Sequence, residues 1–456
     1  MCGIAGFVGE EAWQRTCEMT ERLHHRGPDG AAVLDCRAVF DGRTACLGHT
    51  HLKVTGDYPQ PALTNGKAFV FNGEIYNYRE FADVSSDTEA LARVLSDGMA
   101  SLVNEAPAIN GDYSLALWDG GRLSLIRDPV GVKPLFYGRN AAGFGFASER
   151  KALWKAGVYD VRALAPGAMF KDGAEHQVIE LPHYEPVLDE EEAVRVLEEA
   201  LAAAVRARVH EKAAITFSGG VDSALIGAMA TDTPLLTVGM ADSHDVKAAR
   251  QAAKLMGAEG RHIVYEITEA DVEDVIARTV YAVESASLQK VSIALPTYLL
   301  AQRARKDGYK VLLSGQGADE LFAGYARYEA AFRENRLADE LDHDLRHIAE
   351  VNLERDDAAT MAHGVELRVP FLDMRVVAAS RRMGPHLKVR PNGKDYIRKY
   401  ILRKVAEKYL PREVWSAPKK AIQYGTGVQK TLERLAKSKG CTPAGYLELL
   451  YRDVFR

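Results

Sequence analysis

A chain of 456 residues has room for two or three domains at roughly 100–200 residues each. Its 47% hydrophobic and 27% charged residues exclude a disordered or fibrous protein. Lys and Arg number 58 against 63 Asp and Glu, a net charge of −5, so no overall field favours nucleic acid and no nucleic-acid partner is expected. No apolar run approaches the roughly 20 residues that cross a bilayer. The amino-terminal stretch carries Glu10, Glu11, Arg15, Glu18, Glu21 and Arg22 where a signal peptide needs apolar residues. The expectation is a cytoplasmic protein with no membrane partner. Cys2, Cys17, Cys36, Cys46 and Cys441 are too irregularly spaced for a disulfide framework or a Cys-x-x-Cys metal knuckle.

From residue 1 to about 183 short apolar runs alternate with Gly, Asp, Asn and Pro, which predicts strands joined by tight turns at Ile4–Val8, Ala68–Phe71, Tyr113–Trp118, Leu123–Ile126 and Phe144–Ala147. Leu91, Val94 and Leu95 sit at helical spacing and predict a helix over Thr88–Leu95 with Asp87 at its cap. The texture changes around Leu181–Pro186, where we place a linker between a first domain, 1–183, and a second, 190–456. A helix opens at Asp189–Glu192 and runs to about Val209. Runs at Ala213–Phe217, Leu235–Val238, His262–Val264 and Val311–Leu313 then alternate with helical patterns at Ser223–Ala230, Val246–Met256 and Ala294–Arg305. Such alternation predicts a doubly wound parallel sheet, covered on both faces. Beyond about residue 325 the pattern is mostly helical.

Chemistry first shows at Cys2. Removal of Met1 would leave one residue with a thiol and a free α-amine whose ordinary pKa, near 8, lets it take the thiol proton. In Phe71-Asn72-Gly73-Glu74-Ile75-Tyr76-Asn77 the Asn72 amide and the Gly73 backbone N–H can point at one oxygen as an oxyanion hole. Taken alone, the motif reads equally well as an Asn-Gly hairpin turn. His25-Arg26-Gly27-Pro28-Asp29 packs polar groups into a similar turn.

In the second half, Ser218-Gly219-Gly220-Val221-Asp222-Ser223 lies between a strand and a helix, with glycines that let backbone amides face an anion and two hydroxyl donors. There is neither G-x-x-x-x-G-K-[ST] nor G-x-G-x-x-G. Ser314-Gly315-Gln316-Gly317-Ala318-Asp319-Glu320 is a second glycine-rich turn after a strand, where ligands of parallel sheets collect. Asp222 and Asp319, one in each turn, offer hard carboxylate oxygens.

These segments occur in one order with Gly111–Asp119, Arg127–Leu135, Phe146-Ala147-Ser148-Glu149 and Met361–Asp373. Together they resemble the class II glutamine amidotransferases of the N-terminal-nucleophile type, and specifically the asparagine synthetase family, over nearly the whole chain. The S-G-G-x-D-S run resembles the PP-loop of ATP pyrophosphatases. The resemblance implies an Ntn-hydrolase αββα sandwich followed by a PP-loop domain with a helical tail. It implies an AMP-forming ligase that uses ATP and Mg²⁺, takes ammonia from glutamine through an internal passage, and amidates aspartate or another small carboxylate; a homodimer is an open expectation.

By the same resemblance Cys2 attacks the glutamine amide, Asn72 and Gly73 hold the oxyanion, and Glu74 and Asp87 bind the α-amine. His51 stands where the family has an Arg that clamps the glutamine carboxylate, and an imidazole cannot make that two-pronged contact. Ser218, Gly219, Gly220, Asp222, Ser223, Val238, Ser314 and Gly315 would bind ATP and pyrophosphate, Asp222 and Asp319 the metal, and Lys399 the phosphate during adenylation. Gln316 replaces a Glu thought to take a proton from the attacking ammonia, and Gln289-Lys290-Val291-Ser292 replaces Thr-Thr-Ile-Arg. A ligase acting on another carboxylate is the first rival reading. A nucleotide-binding paralogue without activity is the second, opposed by the intact loop, Asp319 and Cys2.

Overall fold

The computed structural model describes residues 2–36, 44–81, 83–181, 184–186, 189–417 and 425–455. Met1, and Pro182 and His183 of the expected linker, lie outside the described residues. The chain forms two compact units. The first extends to Leu181 and also takes in Ala349–Asp357, a return that two consecutive blocks, 1–183 and 190–456, do not contain; the second holds the remainder.

The first unit begins with β1 (Gly3–Gly9), β2 (Gly30–Asp35), β3 (Ala45–His51), β4 (Ala62–Thr64), β5 (Lys67–Ile75) and β6 (Gly111–Asp119). It continues with β7 (Arg122–Arg127), β8 (Phe136–Asn140), β9 (Gly143–Ala147), β10 (Val161–Ala163), β11 (Ala168–Lys171) and β12 (Ala174–Gln177). They build two six-stranded sheets in the orders β10-β8-β9-β1-β3-β2 and β12-β11-β7-β6-β5-β4. Strand periodicity sorts the side chains: Ile4 and Val8 of β1 join Val70, Ala116 and Leu125 of the other sheet in a shared core, while Ala5 and Phe7 turn outward to Met19 and Leu153 of the helices Ala12–Arg22 and Arg150–Lys155. On the far side, Phe69 and Phe71 of β5 pack on Leu91, Leu95 and Leu102 of the helices Asp87–Leu95 and Met99–Glu105. This is the αββα sandwich. Strands covered on both faces explain why the sequence shows continuous apolar runs there rather than alternation, each buried Phe or Leu contributing roughly 1.5–3 kcal/mol.

One cap differs from expectation. Ser86, in extended conformation, caps the helix by accepting from the Glu89 N–H at 3.2 Å, and Asp87 is the first helical residue, its carboxylate turned to other partners. The segment Arg127–Leu135 proves to be scaffold: the buried Asp128 carboxylate accepts N–H bonds from Val130, Gly131, Val132 and Lys133, tying the turn after β7.

In the second unit the Asp189 carboxylate caps the helix Glu190–Arg208 at the Glu192 N–H. Strands β13 (Ala213–Thr216), β14 (Leu235–Met240), β15 (His262–Ile267), β16 (Val311–Leu313) and β17 (Glu366–Arg368) form a parallel sheet in the order β15-β14-β13-β16-β17. The order reverses between β13 and β16, so the carboxyl ends of these two strands flank the crevice where such sheets bind ligands. Helices Val221–Met229 and His244–Leu255 match the expected pattern. The helix expected from Ala294 begins at Leu288, capped by Ser287, and runs to Lys306 with Pro296 inside it. Among the described residues no helix is long and apolar enough to cross a membrane.

Candidate active sites

In the first unit Cys2 lies at the start of β1, 8% exposed and in no disulfide. Its backbone N–H donates to Asn72 Oδ1 at 3.0 Å. That bond fixes the orientation of the Asn72 amide: with Oδ1 engaged, Nδ2 is the remaining donor, and it is buried with no hydrogen-bond partner among the described residues. A buried amide donor without an acceptor costs about 1–3 kcal/mol, and an oxyanion formed on Cys2 chemistry would relieve it. Gly73 follows on β5, opposite Tyr113 of β6, where a Cβ would come within 2.2 Å of the Asp112 carbonyl oxygen, so only glycine fits.

Glu74 and Asp87 are both buried. Asp87 accepts from the Ile75 N–H at 3.2 Å and the Thr88 N–H at 2.6 Å. Burial, and then the charge of Glu74, still push its carboxyl well above the ordinary carboxylate range. Two carboxylates held together out of water call for a cation between them. His51 ends β3, with Nδ1 3.8 Å from Asp57 Oδ1. Burial lowers its pKa despite Asp57, so the imidazole is neutral at pH 7 and supplies no charge for a carboxylate. The adjacent His49 is buried and pushed down to about 3, chiefly by desolvation.

Sequence reasoning left unassigned the groups that hold Cys2. Arg26 is fully buried; its Nε donates to the Cys2 carbonyl at 3.2 Å and its Nη1 to Glu149 and Asp357 at 2.9 and 2.8 Å. These carboxylates outweigh desolvation and raise the Arg26 pKa further above its ordinary value. Thr50 and Ser148 hydroxyls accept from the Gly3 and Ile4 N–H groups, each at 3.0 Å. Arg26, Ser148 and Glu149 all lie inside motifs visible in the sequence, but nothing local indicates that they meet at Cys2.

In the second unit the loop after β13 folds on itself. Ser218 Oγ and Ser223 Oγ are 3.3 Å apart, and Ser223 donates to the Gly220 carbonyl at 3.2 Å. Gly219 has φ +75°, and a Cβ there would meet the Ala248 carbonyl oxygen at 2.7 Å. The helix Val221–Met229 starts here and aims its amides at the same place. Gly315, after β16, brings its backbone against this helix: a Cβ would sit 3.0 Å from that of Asp222. Val238 is buried in β14, next to Thr237, whose hydroxyl donates to the Phe217 carbonyl on the neighbouring segment at 2.6 Å.

Lys399, distant in sequence, closes the site. Its ammonium lies 2.6 and 2.8 Å from the Asp222 oxygens and 2.7 Å from Asp319 Oδ1. It is 3% exposed, and burial lowers its pKa against the opposing pull of Asp222. Its backbone takes φ +56°, a left-handed conformation that costs a non-glycine residue roughly 1–2 kcal/mol and recurs where a side chain must be aimed. Gln316 is half-buried, its N–H on the Ser314 hydroxyl at 3.3 Å. Ser292 is buried within the helix Leu288–Lys306 and spends its hydroxyl on the Gln289 carbonyl of that helix at 3.2 Å.

Comparison with known proteins identifies the family. The glutamine amidotransferase domain matches residues 1–170, and the family described as asparagine synthase matches 196–347 and 334–456. The chain is 32% identical to a Methanocaldococcus jannaschii protein named as a glutamine-hydrolysing asparagine synthetase, over 100% of this chain and 99% of that one. It is 27% identical to asparagine synthetase B of Escherichia coli K12 (100% of this chain, 91% of that one) and 29% identical to the Gallus gallus asparagine synthetase (93% and 84%). An αββα unit matched by the glutamine amidotransferase domain and a parallel-sheet unit matched by asparagine synthase, on one polypeptide similar along its full length to a synthetase, place this chain in the glutamine-hydrolysing asparagine synthetase family.

Proposed function

We propose that the chain is a glutamine-dependent, AMP-forming ligase that converts aspartate to asparagine. The observation that carries this reading is the meeting of Asp222, Asp319 and Lys399, from three distant parts of the chain, where the order of the parallel sheet reverses.

In the first unit, with Met1 removed, the Cys2 thiol adds to the glutamine amide carbon and its own amine takes the proton. The Asn72 Nδ2 and Gly73 N–H stabilise the oxyanion, the proton passes to the departing ammonia, and water cleaves the thioester to glutamate. The charge-matched seat for the glutamine ammonium is Glu74 with Asp87. In the second unit the Ser218–Ser223 loop seats the ATP phosphates, and the aspartate β-carboxylate attacks the α-phosphorus as pyrophosphate leaves. Ammonia then displaces AMP from the acyl-adenylate.

Mg²⁺ fits the Asp222 and Asp319 carboxylates. The described residues offer no cluster of three or more His, Cys, Asp or Glu, and an ion that completes its shell with phosphate oxygens and water needs only one or two protein carboxylates. Bound there, it would neutralise charge on the leaving pyrophosphate. Lys399 supplies a positive charge to the same anions.

A second reading, amidation of another small carboxylate, is favoured by Gln316 and by Ser292, whose hydroxyl is occupied inside its own helix. Product analysis with glutamine, ATP and a panel of carboxylic acids tests both. AMP and pyrophosphate with aspartate support the main reading, and the same products only with another acid support the second. ADP with phosphate contradicts the PP-loop chemistry altogether.

A further inference from the structure

The short helix Ala318–Phe322, which carries Asp319, ends in a left-handed residue, the position at which glycine is favoured because it has no side chain to strain. That residue is Ala323, at φ +59°. The glycine stands one place later, at Gly324, whose φ lies outside the left-handed region. Ending the helix therefore does not explain it. Nor do its backbone bonds: the Gly324 N–H donates to the Asp319 carbonyl at 2.9 Å and its carbonyl accepts from Arg398 Nη1 at 2.5 Å, and an alanine offers the same two groups. What glycine alone provides is room. A Cβ at position 324 would overlap Asp319 Oδ1 and Lys399 Cε. Both are far ends of side chains, so the overlap is relieved by moving the carboxylate and the lysine stem apart while the backbone stays in place.

Lys399 is anchored at its root, its N–H donating to the Phe322 carbonyl at 3.1 Å. From there the stem runs past Gly324 and sets Nζ 2.7 Å from Asp319 Oδ1 and 2.6 and 2.8 Å from the Asp222 oxygens. A lysine is a point charge on a flexible four-carbon stem, so what the stem packs against decides where the charge sits. We propose that Gly324 is a positioning residue of the proposed adenylation site: by having no side chain it lets the Lys399 stem and the Asp319 carboxylate meet, and so keeps the ammonium in reach of Asp319 and Asp222 together. The inference rests on the reading of Lys399 as a group that binds the ATP phosphates.

The test compares G324A with A323G/G324A, which moves the glycine one place back to the left-handed position, in the full chain beginning at Cys2. Calorimetric binding of α,β-methylene ATP with Mg²⁺ should weaken about tenfold in both, as for a lost hydrogen bond to a charged group. Because A323G/G324A keeps a glycine at the helix end, it carries the test should G324A fail to fold. K399A removes the stem that the new methyl would strike; it should itself bind about tenfold more weakly, and adding G324A to it should cost less than about twofold more. Unchanged binding in G324A, binding restored by A323G/G324A, or a full tenfold loss added by G324A to K399A overturns the proposal. Wild-type binding in K399A would instead overturn the reading of Lys399 as a phosphate ligand, and the proposal with it.

Discussion

At position 316 a carboxylate would be negative beside the proposed ATP-binding loop, whereas Gln316 is neutral and cannot accept a proton from ammonia. Acyl-adenylate formation should be intact and its capture slow, since a general base is typically worth about 10²–10⁴ in rate. Q316E should therefore speed the decay of aspartyl-adenylate in single-turnover measurements with added ammonia. Equal decay in the two proteins would assign Gln316 a structural part only. Asp87 makes a second residue-scale prediction. Its raised pKa means that, as pH falls, it protonates earlier than an ordinary carboxylate, and with the charge goes the attraction for the glutamine ammonium. Calorimetric binding of glutamine to C2A should weaken steadily from pH 8 toward pH 5. D87N should bind about 10–100-fold more weakly at pH 8, the worth of a charged hydrogen bond, and lose most of that pH dependence. Burial lowers the His51 pKa, so this imidazole takes up its proton at a lower pH than an ordinary histidine.

Among the elements, legibility followed burial and punctuation. The strands of the sandwich and of the parallel sheet were readable because apolar runs ended at Gly, Asn and Asp. The start of the helix Leu288–Lys306 was not, because Pro296 reads as a boundary while the first turns, half-exposed and polar at Gln289 and Lys290, show no apolar stripe. Strand β17, only Glu366–Arg368, is too short and charged to signal itself; it is held by pairing to β16 and by the Arg368–Glu366 ion pair at 3.0 Å. Residue type beside glycines marked Ser218–Ser223, Asp319 and Asn72 as candidates in the sequence. Arg26 could not be marked so, since its surroundings come from tertiary contacts and a lone cation reads as a solvated face. The PP-loop offers an element-scale test. In G219A the new methyl at φ +75° would sit against the Ala248 carbonyl and force the loop open. Adenylate formation should fall at least about tenfold, with glutamine hydrolysis kept; retained adenylation would mean that the loop does not seat the phosphates.

The chain has two units, each with its own core and its own candidate site: the Cys2 thiol beside Asn72 in one, the Ser218–Ser223 loop with Asp222, Asp319 and Lys399 in the other. The separation requires that loss of one site leave the other's reaction in place, and that nitrogen released in the first be used in the second. The most direct measurement follows isotope from [amide-¹⁵N]glutamine into product, with aspartate, ATP and unlabelled ammonium present, in mature protein beginning at Cys2 and in C2A. The wild type should yield asparagine carrying ¹⁵N in its side-chain amide, one AMP formed per asparagine, and C2A should make only unlabelled asparagine from the added ammonium. Labelled asparagine from C2A, or AMP without any amide product from aspartate in either protein, would contradict the account.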